Sequence, residues 1–282
     1  ATTLDALALG ASDYVTKPAQ VGSVGAAQQK IREELIPKIK MLCSRGLVSD
    51  LPPEPTRLFA PSSRAAPLRP SAGGAQVLVI GVSTGGPNAL ATLLPSLPPD
   101  FPVPVLIVQH MPAMFTRLLA ERLTSISSLD VREGEAGEKP CPGHAYVAPG
   151  DYHMVVTRDG LATRLGLHQG PHENSCRPAV DVLFRSAAET YGNGVLAVVL
   201  TGMGQDGLRS CEAIREAGGQ VLVQDEATSV VWGMPGFVAR AGLADQVLPL
   251  EEIGPAIVRR VPKSPPSPLA SLLRQELSGR SG

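Results

Sequence analysis

Three stretches of the chain are almost continuously apolar and rich in β-branched residues: VLVIGV from Val77, VPVLIVQ from Val103 and GVLAVVLTG from Gly194. Runs of this kind are strands buried on both faces, a condition met when helices cover a mostly parallel sheet on either side. The intervening segments carry helical spacing: a helix starting at Pro87, then Phe115–Leu123, Val180–Tyr191 and Leu208–Glu216. Pro87 suits a first helical turn, where its missing N–H costs nothing. Gln220–Gln224 and Gln246–Leu250 read as further strands, with short helices at Pro235–Ala241 and Glu251–Arg259. Strand and helix in alternation imply an α/β fold, a doubly wound and mostly parallel sheet with helices on both faces. Cys141–Leu165 differs, because Gly, Pro and the short runs HAYVAP, HMVVTR and LATRL predict an antiparallel excursion of hairpins.

Upstream of this block the pattern is broken. Residues 46–75 are loaded with Pro, Ser, Ala and Gly and read as an extended linker. Before it, Ala1–Gly10 has the spacing of a helix end stopped by Gly10, Asp13–Pro18 (DYVTKP) reads as a short strand, and Gln29–Leu42 as a helix that Pro37 kinks or divides. One strand and two helical pieces cannot close an α/β layer alone. The expected division is therefore residues 1–45 as the tail of another domain, 46–75 as linker, 76–262 as the main domain and 263–282 as a loose, proline-rich end.

Composition excludes several classes. With 25 basic and 26 acidic residues the net charge is −1, which exerts no pull toward nucleic acid or an anionic membrane. Gly, Pro or a charge interrupts every apolar run before the ~18–20 residues of a membrane-spanning helix, and the basic-then-apolar order of a signal peptide is absent. Cys43, Cys141, Cys176 and Cys211 are far apart with no C-x-x-C pair, which argues against a zinc or disulfide framework and fits a reducing compartment. The expectation is a cytoplasmic protein with no nucleic-acid partner, no membrane insertion, and no metal or organic cofactor.

Chemistry concentrates at the first apolar run. Gly81-Val82-Ser83-Thr84-Gly85 fits G-x-S-x-G, in which a tight strand-to-helix turn lifts a serine hydroxyl clear of the sheet. A nucleophile needs a base, and the base needs an orienting group. Of the five histidines, His110 alone ends a predicted parallel strand, on the rim where α/β sheets bind ligands. A strand-end histidine bonded to a backbone carbonyl is the other reading. His168 and His172 are four apart, but Gly170 and Pro171 spoil a helix between them. The glycine loop after Leu200 holds Asp206 just before a helix, where it serves either as the acid or as an ordinary N-cap. Asp100, Asp181 and Asp225 compete with it. A phosphate-binding turn fits less well, since Gly81, Gly85 and Gly86 lack G-x-G-x-x-G spacing and no lysine follows.

GVSTGGP, VQHMPAMFT, CRPAVDVLFRSAA, LTGMGQDG and VQDEATSVVWGMPG resemble, in order, the blocks of the catalytic domain of CheB-type chemotaxis protein-glutamate methylesterases. ALALGASDYVTKP resembles the end of a response-regulator receiver domain, with Lys17 at the receiver's lysine and the phospho-acceptor region upstream of the sequence. The resemblance implies Ser83 as nucleophile, His110 as base, Asp206 as orienting acid, and backbone N–H groups near Thr84 and Met203 as oxyanion donors. It implies hydrolysis of glutamate γ-methyl esters on methylated chemoreceptors, with glutamine deamidation, and regulation by the pathway's histidine kinase through a complete receiver. Without the acceptor region, activity is expected to be independent of phosphodonors. Val82 and Asn174-Ser175-Cys176 depart from the family pattern. A non-enzymatic module binding receptors or a nucleotide at the glycine turn is the alternative.

Overall fold

The structure, a computed structural model, describes residues 3–15, 24–44, 74–160 and 162–261. In chain order the elements are α1 (Thr3–Ala8), α2 (Val24–Ser44), β1 (Val77–Val82), α3 (Gly86–Leu93), β2 (Val105–Gln109), α4 (Ala113–Ile126), β3 (Asp130–Glu133) and β4 (His144–Val147). They continue with β5 (His153–Asp159), β6 (Ala162–His168), α5 (Val180–Tyr191), β7 (Val195–Val199), α6 (Leu208–Glu216), β8 (Gln220–Gln224), α7 (Met234–Arg240), β9 (Gln246–Leu248) and α8 (Leu250–Val258).

Seven strands form one parallel sheet in the order β3-β4-β2-β1-β7-β8-β9, and β5 pairs with β6 in a separate antiparallel hairpin. The apolar runs of β1, β2 and β7 occupy its centre and are buried along their whole length, as their composition requires. Alternate residues serve opposite layers. Leu78, Ile80, Ile107 and Val198 pack with Leu90, Leu119 and Ile253 of α3, α4 and α8. Val79, Val108 and Val199 pack with Phe184, Ile214 and Val238 of α5, α6 and α7, joined there by Met154, Val156 and Leu165 of the hairpin. Burying one such Val, Leu or Phe side chain contributes about 1.5–3 kcal/mol, so the central strands are the anchor of the domain.

The α/β architecture agrees with the sequence pattern, with four corrections. The HAYV segment belongs to the main sheet, pairing in parallel with both β2 and β3, so the antiparallel excursion shrinks to β5 and β6. Pairing direction is set by distant partners, which a local alternation pattern does not contain. Strand β3 was not expected because DVRE is an edge strand with one buried residue in four. Residues 11–15 form no strand; Asp13 and Tyr14 are instead engaged by side chains, as set out below. Helix α2 starts five residues before the expected Gln29 and runs through Pro37. Lys17 and Pro18, most of the 46–75 segment and residues 263–282 lie outside the described residues.

Candidate active site

The sheet changes direction of winding at β1: β2 lies on one side, β7 on the other. Their carboxyl ends therefore open on one crevice, at the topological switch point where α/β folds place ligands. Ser83 follows β1, His110 follows β2, and Asp206 lies in the loop after β7. Val82 pairs in register with Gln109, so Ser83 and His110 are the next step on neighbouring strands. Ser83, Thr84, His110, Asn174, Cys176 and Met203 line a cavity of about 910 Å³.

The serine turn is held by its neighbours. Ser83 N–H donates to Thr201 O at 3.0 Å, and Gly86 N–H returns to Ser83 O at 2.8 Å. Gly85 has φ +79°, a left-handed conformation, and a Cβ there would lie 2.6 Å from Val230 Cβ; both facts demand glycine. Two buried glutamines at strand ends complete the frame. Gln109 Nε2 donates to Ser83 O and His110 O, both at 3.1 Å, tying the two strand ends together. Gln224 Oε1 accepts Thr201 N–H at 2.8 Å. Neither glutamine was picked out from the sequence, although a polar residue closing an otherwise apolar strand is a readable signal.

Asp206 and His110 meet. His110 Nε2 lies 2.7 Å from Asp206 Oδ2. The same carboxylate accepts Val180 N–H at 2.6 Å, Asp181 N–H at 3.0 Å and Asn174 Nδ2 at 2.7 Å. Asp206 is thus no cap for its own helix, α6, whose N-cap is Gly207. It caps α5 instead, at the positive end of that helix's dipole. Burial favours the neutral acid, but the His110 bond and charge and the α5 amides outweigh it and hold the carboxyl below its ordinary range. Since the carboxylate only accepts, His110 Nε2 carries a proton. Burial lowers the imidazole's affinity for its second proton, yet hydrogen bonds to Asp206 and Cys176 prevail and raise it from 6.5 to about 10.

The remaining ring nitrogen, Nδ1, faces Cys176 Sγ at 3.6 Å. No hydrogen bond joins Ser83 Oγ to His110 among the described residues, so the histidine–acid link is closed and the serine–histidine link is open. Neither Thr84 N–H nor Met203 N–H has an acceptor among the described residues. Backbone donors left unclaimed in a lined cavity are available to an oxyanion.

The other candidates go elsewhere. Asp181 is buried and accepts Ser210 N–H and Asn174 Nδ2, while Asp225 caps its own loop at Thr228. His144 opens β4, His153 and His168 face each other across the hairpin, and His172 lies in the loop lining the cavity. Asn174 and Ser175 both take left-handed backbone, φ 52° and 62°. That double turn brings Asn174 onto Asp206 and Cys176 onto His110, contacts that no spacing in the sequence announces.

The N-terminal segment also reaches this site. Asp13 Oδ2 accepts Thr84 Oγ1–H at 2.9 Å and pairs with Lys38 Nζ at 2.9 Å. Tyr14 packs edge-on against Phe115, and Leu7 is buried in the main core. No helix among the described residues is long and apolar enough to cross a membrane.

The CheB methylesterase family matches residues 78–257. Over 268 residues the chain is 55% identical to a protein-glutamate methylesterase/protein-glutamine glutaminase of Nocardioides sp., covering 94% of this chain and 72% of that protein. A protein of the same name from Trichodesmium erythraeum is 52% identical over 263 residues, covering 92% of this chain and 73% of the other. Among solved structures, the CheB methylesterase catalytic domain of Thermotoga maritima is 43% identical, with a TM-score of 0.65, covering 66% of this chain and 99% of that one. With a parallel sheet, a serine turn at its switch point and these likenesses, the chain belongs to the CheB methylesterase family.

Proposed function

We propose that this chain hydrolyses the γ-methyl esters of glutamate side chains on chemoreceptor helices, releasing methanol, and deamidates glutamine at the same site. Ser83 Oγ attacks the ester carbonyl while His110 Nδ1 takes its proton. Asp206 keeps the other proton on Nε2 and favours the imidazolium formed. Thr84 N–H and Met203 N–H bind the oxyanion. The imidazolium then protonates the departing methoxide, or the amine when the substrate is glutamine. Water, deprotonated by His110, frees the glutamate and restores Ser83. The observation that carries this reading is the 2.7 Å His110–Asp206 link, made between the ends of β2 and β7 on either side of β1, whose own end carries the half-buried Ser83.

The contact between Cys176 and His110 favours one rival, a cysteine nucleophile on the same base. Ser83 is preferred because it stands beside the unclaimed Thr84 amide at the end of β1. Incubation with a fluorophosphonate and peptide mapping separates the two. Label on Ser83, with loss of methanol release in Ser83→Ala, supports the serine; retained activity in that variant overturns it.

The division at 45, 75 and 262, the receiver origin of the first segment with Lys17, cytoplasmic localisation and contact with a histidine kinase belong to the same proposal. They are supported by the sequence resemblance.

A further inference from the structure

His110 Nδ1 and Cys176 Sγ lie 3.6 Å apart beside the cavity that Ser83 lines. A tetrahedral zinc ion, with Zn–N near 2.05 Å and Zn–S near 2.3 Å, places such a nitrogen and sulfur about 3.6 Å apart. His110, Cys176 and Asp206 offer ligand atoms that all lie within 4.8 Å of one another. Asp206 is already bonded to Nε2 at 2.7 Å, which makes it the outer partner of a carboxylate–histidine–zinc arrangement rather than a ligand. That bond leaves Nδ1 as the metal-binding nitrogen. An imidazole and a thiolate together suit zinc and reject the hard cations magnesium and calcium.

From this juxtaposition we infer that His110 and Cys176 form an inhibitory zinc(II) site, with its other positions open to water from the cavity. Binding forms the Zn–Nδ1 and Zn–Sγ bonds and releases the thiol proton to solvent, with no change of oxidation state. It occupies the nitrogen that would otherwise take the Ser83 proton, so zinc and catalysis exclude each other. The cysteine spacing argues against a structural zinc framework, and this site is of a different kind: two ligands, brought together by the turn at Asn174 and Ser175 and open on one side. The inhibitory consequence rests on His110 being the base; the metal site itself does not.

The test uses the full chain with Cys43 and Cys141 replaced by alanine, so that neither of these two partly or fully exposed thiols competes. Cobalt(II) is expected to give a near-ultraviolet thiolate-to-metal band, and buffered zinc to displace it and to suppress methanol release. Cys176→Ala, and Cys176→Ser if the alanine variant misfolds, is expected to lose the band and to weaken zinc inhibition at least ~10-fold relative to its own metal-free rate. Ser83→Ala should keep the band while lacking esterase activity, so a wrong nucleophile and a wrong metal site give different results. No cobalt–thiolate band in the parent protein, or equal zinc inhibition with and without the Cys176 thiol, overturns the site.

Discussion

Asp206 holds His110 Nε2 at 2.7 Å while its carboxylate sits on the first two amides of α5. One side chain thus fixes the tautomer of the imidazole and joins the β7 loop to a helix on the sheet's second face. Asp206→Asn places an amide where only an acceptor works. The expected result is a fall in kcat of about 10⁴-fold, as for a lost orienting acid in a serine triad. Loss of the capping charge should also lower Tm. Methanol-release kinetics and thermal melts measure both.

The raised His110 and lowered Asp206 set the pH response of the metal-free enzyme. In the proposed mechanism only neutral imidazole accepts the Ser83 proton, so kcat/KM should climb from neutral pH toward about 10. Removing the Cys176 contact takes away one of the interactions raising His110, and Cys176→Ala should move that limb to lower pH. A profile flat above pH 7 in the presence of chelator contradicts this.

Stability follows by linkage. His110 is raised in the folded state, so its contribution is complete below its unfolded value of 6.5 and is lost as pH rises toward about 10. Asp206 is lowered, so its contribution is complete above 3.8 and is lost as pH falls further. The Tm gap between the wild type and Asp206→Asn should therefore be widest at pH 4–6.5 and narrow on either side. Differential scanning calorimetry across pH 3–10 reads the gap directly.

Asn174 donates to both Asp206 and Asp181 through one nitrogen, at 2.7 and 2.8 Å. Asn174→Ala leaves two buried carboxylates facing each other without the bridging donor. A loss of about 1–3 kcal/mol is expected, with kcat falling more than KM changes because the base loses its fixed support. Urea denaturation beside steady-state kinetics separates the two effects.

Gly202 backs the serine turn: a Cβ there would lie 2.8 Å from Ser83 Cβ and 2.5 Å from Met234 Sδ. Gly202→Ala should displace the Thr201–Gly204 loop and its Met203 amide, costing roughly 10²–10³ in rate, the scale of one lost oxyanion donor. Fluorophosphonate labelling of Ser83 should slow in parallel, while circular dichroism stays unchanged.

The central strands and the helices α5 and α6 were legible because burial on both faces writes itself locally as unbroken apolar runs and helical spacing. For the same reason β3 was missed: an edge strand with one buried residue in four has no such signature. The G-x-S-x-G turn pointed to Ser83 and strand-end position to His110, while Asp206 stood among other acids, Asp225 also lying past a strand end, until the family resemblance favoured it. Local pattern was enough for the α/β class and for a crevice at the carboxyl ends of the central strands. That Asp206 caps α5 rather than α6, that Gln109 and Asn174 hold the site, and that Cys176 meets His110 came from long-range packing. Those contacts join residues 25 to 66 positions apart. Their geometry depends on loop backbone, including two left-handed residues, that no periodic pattern encodes.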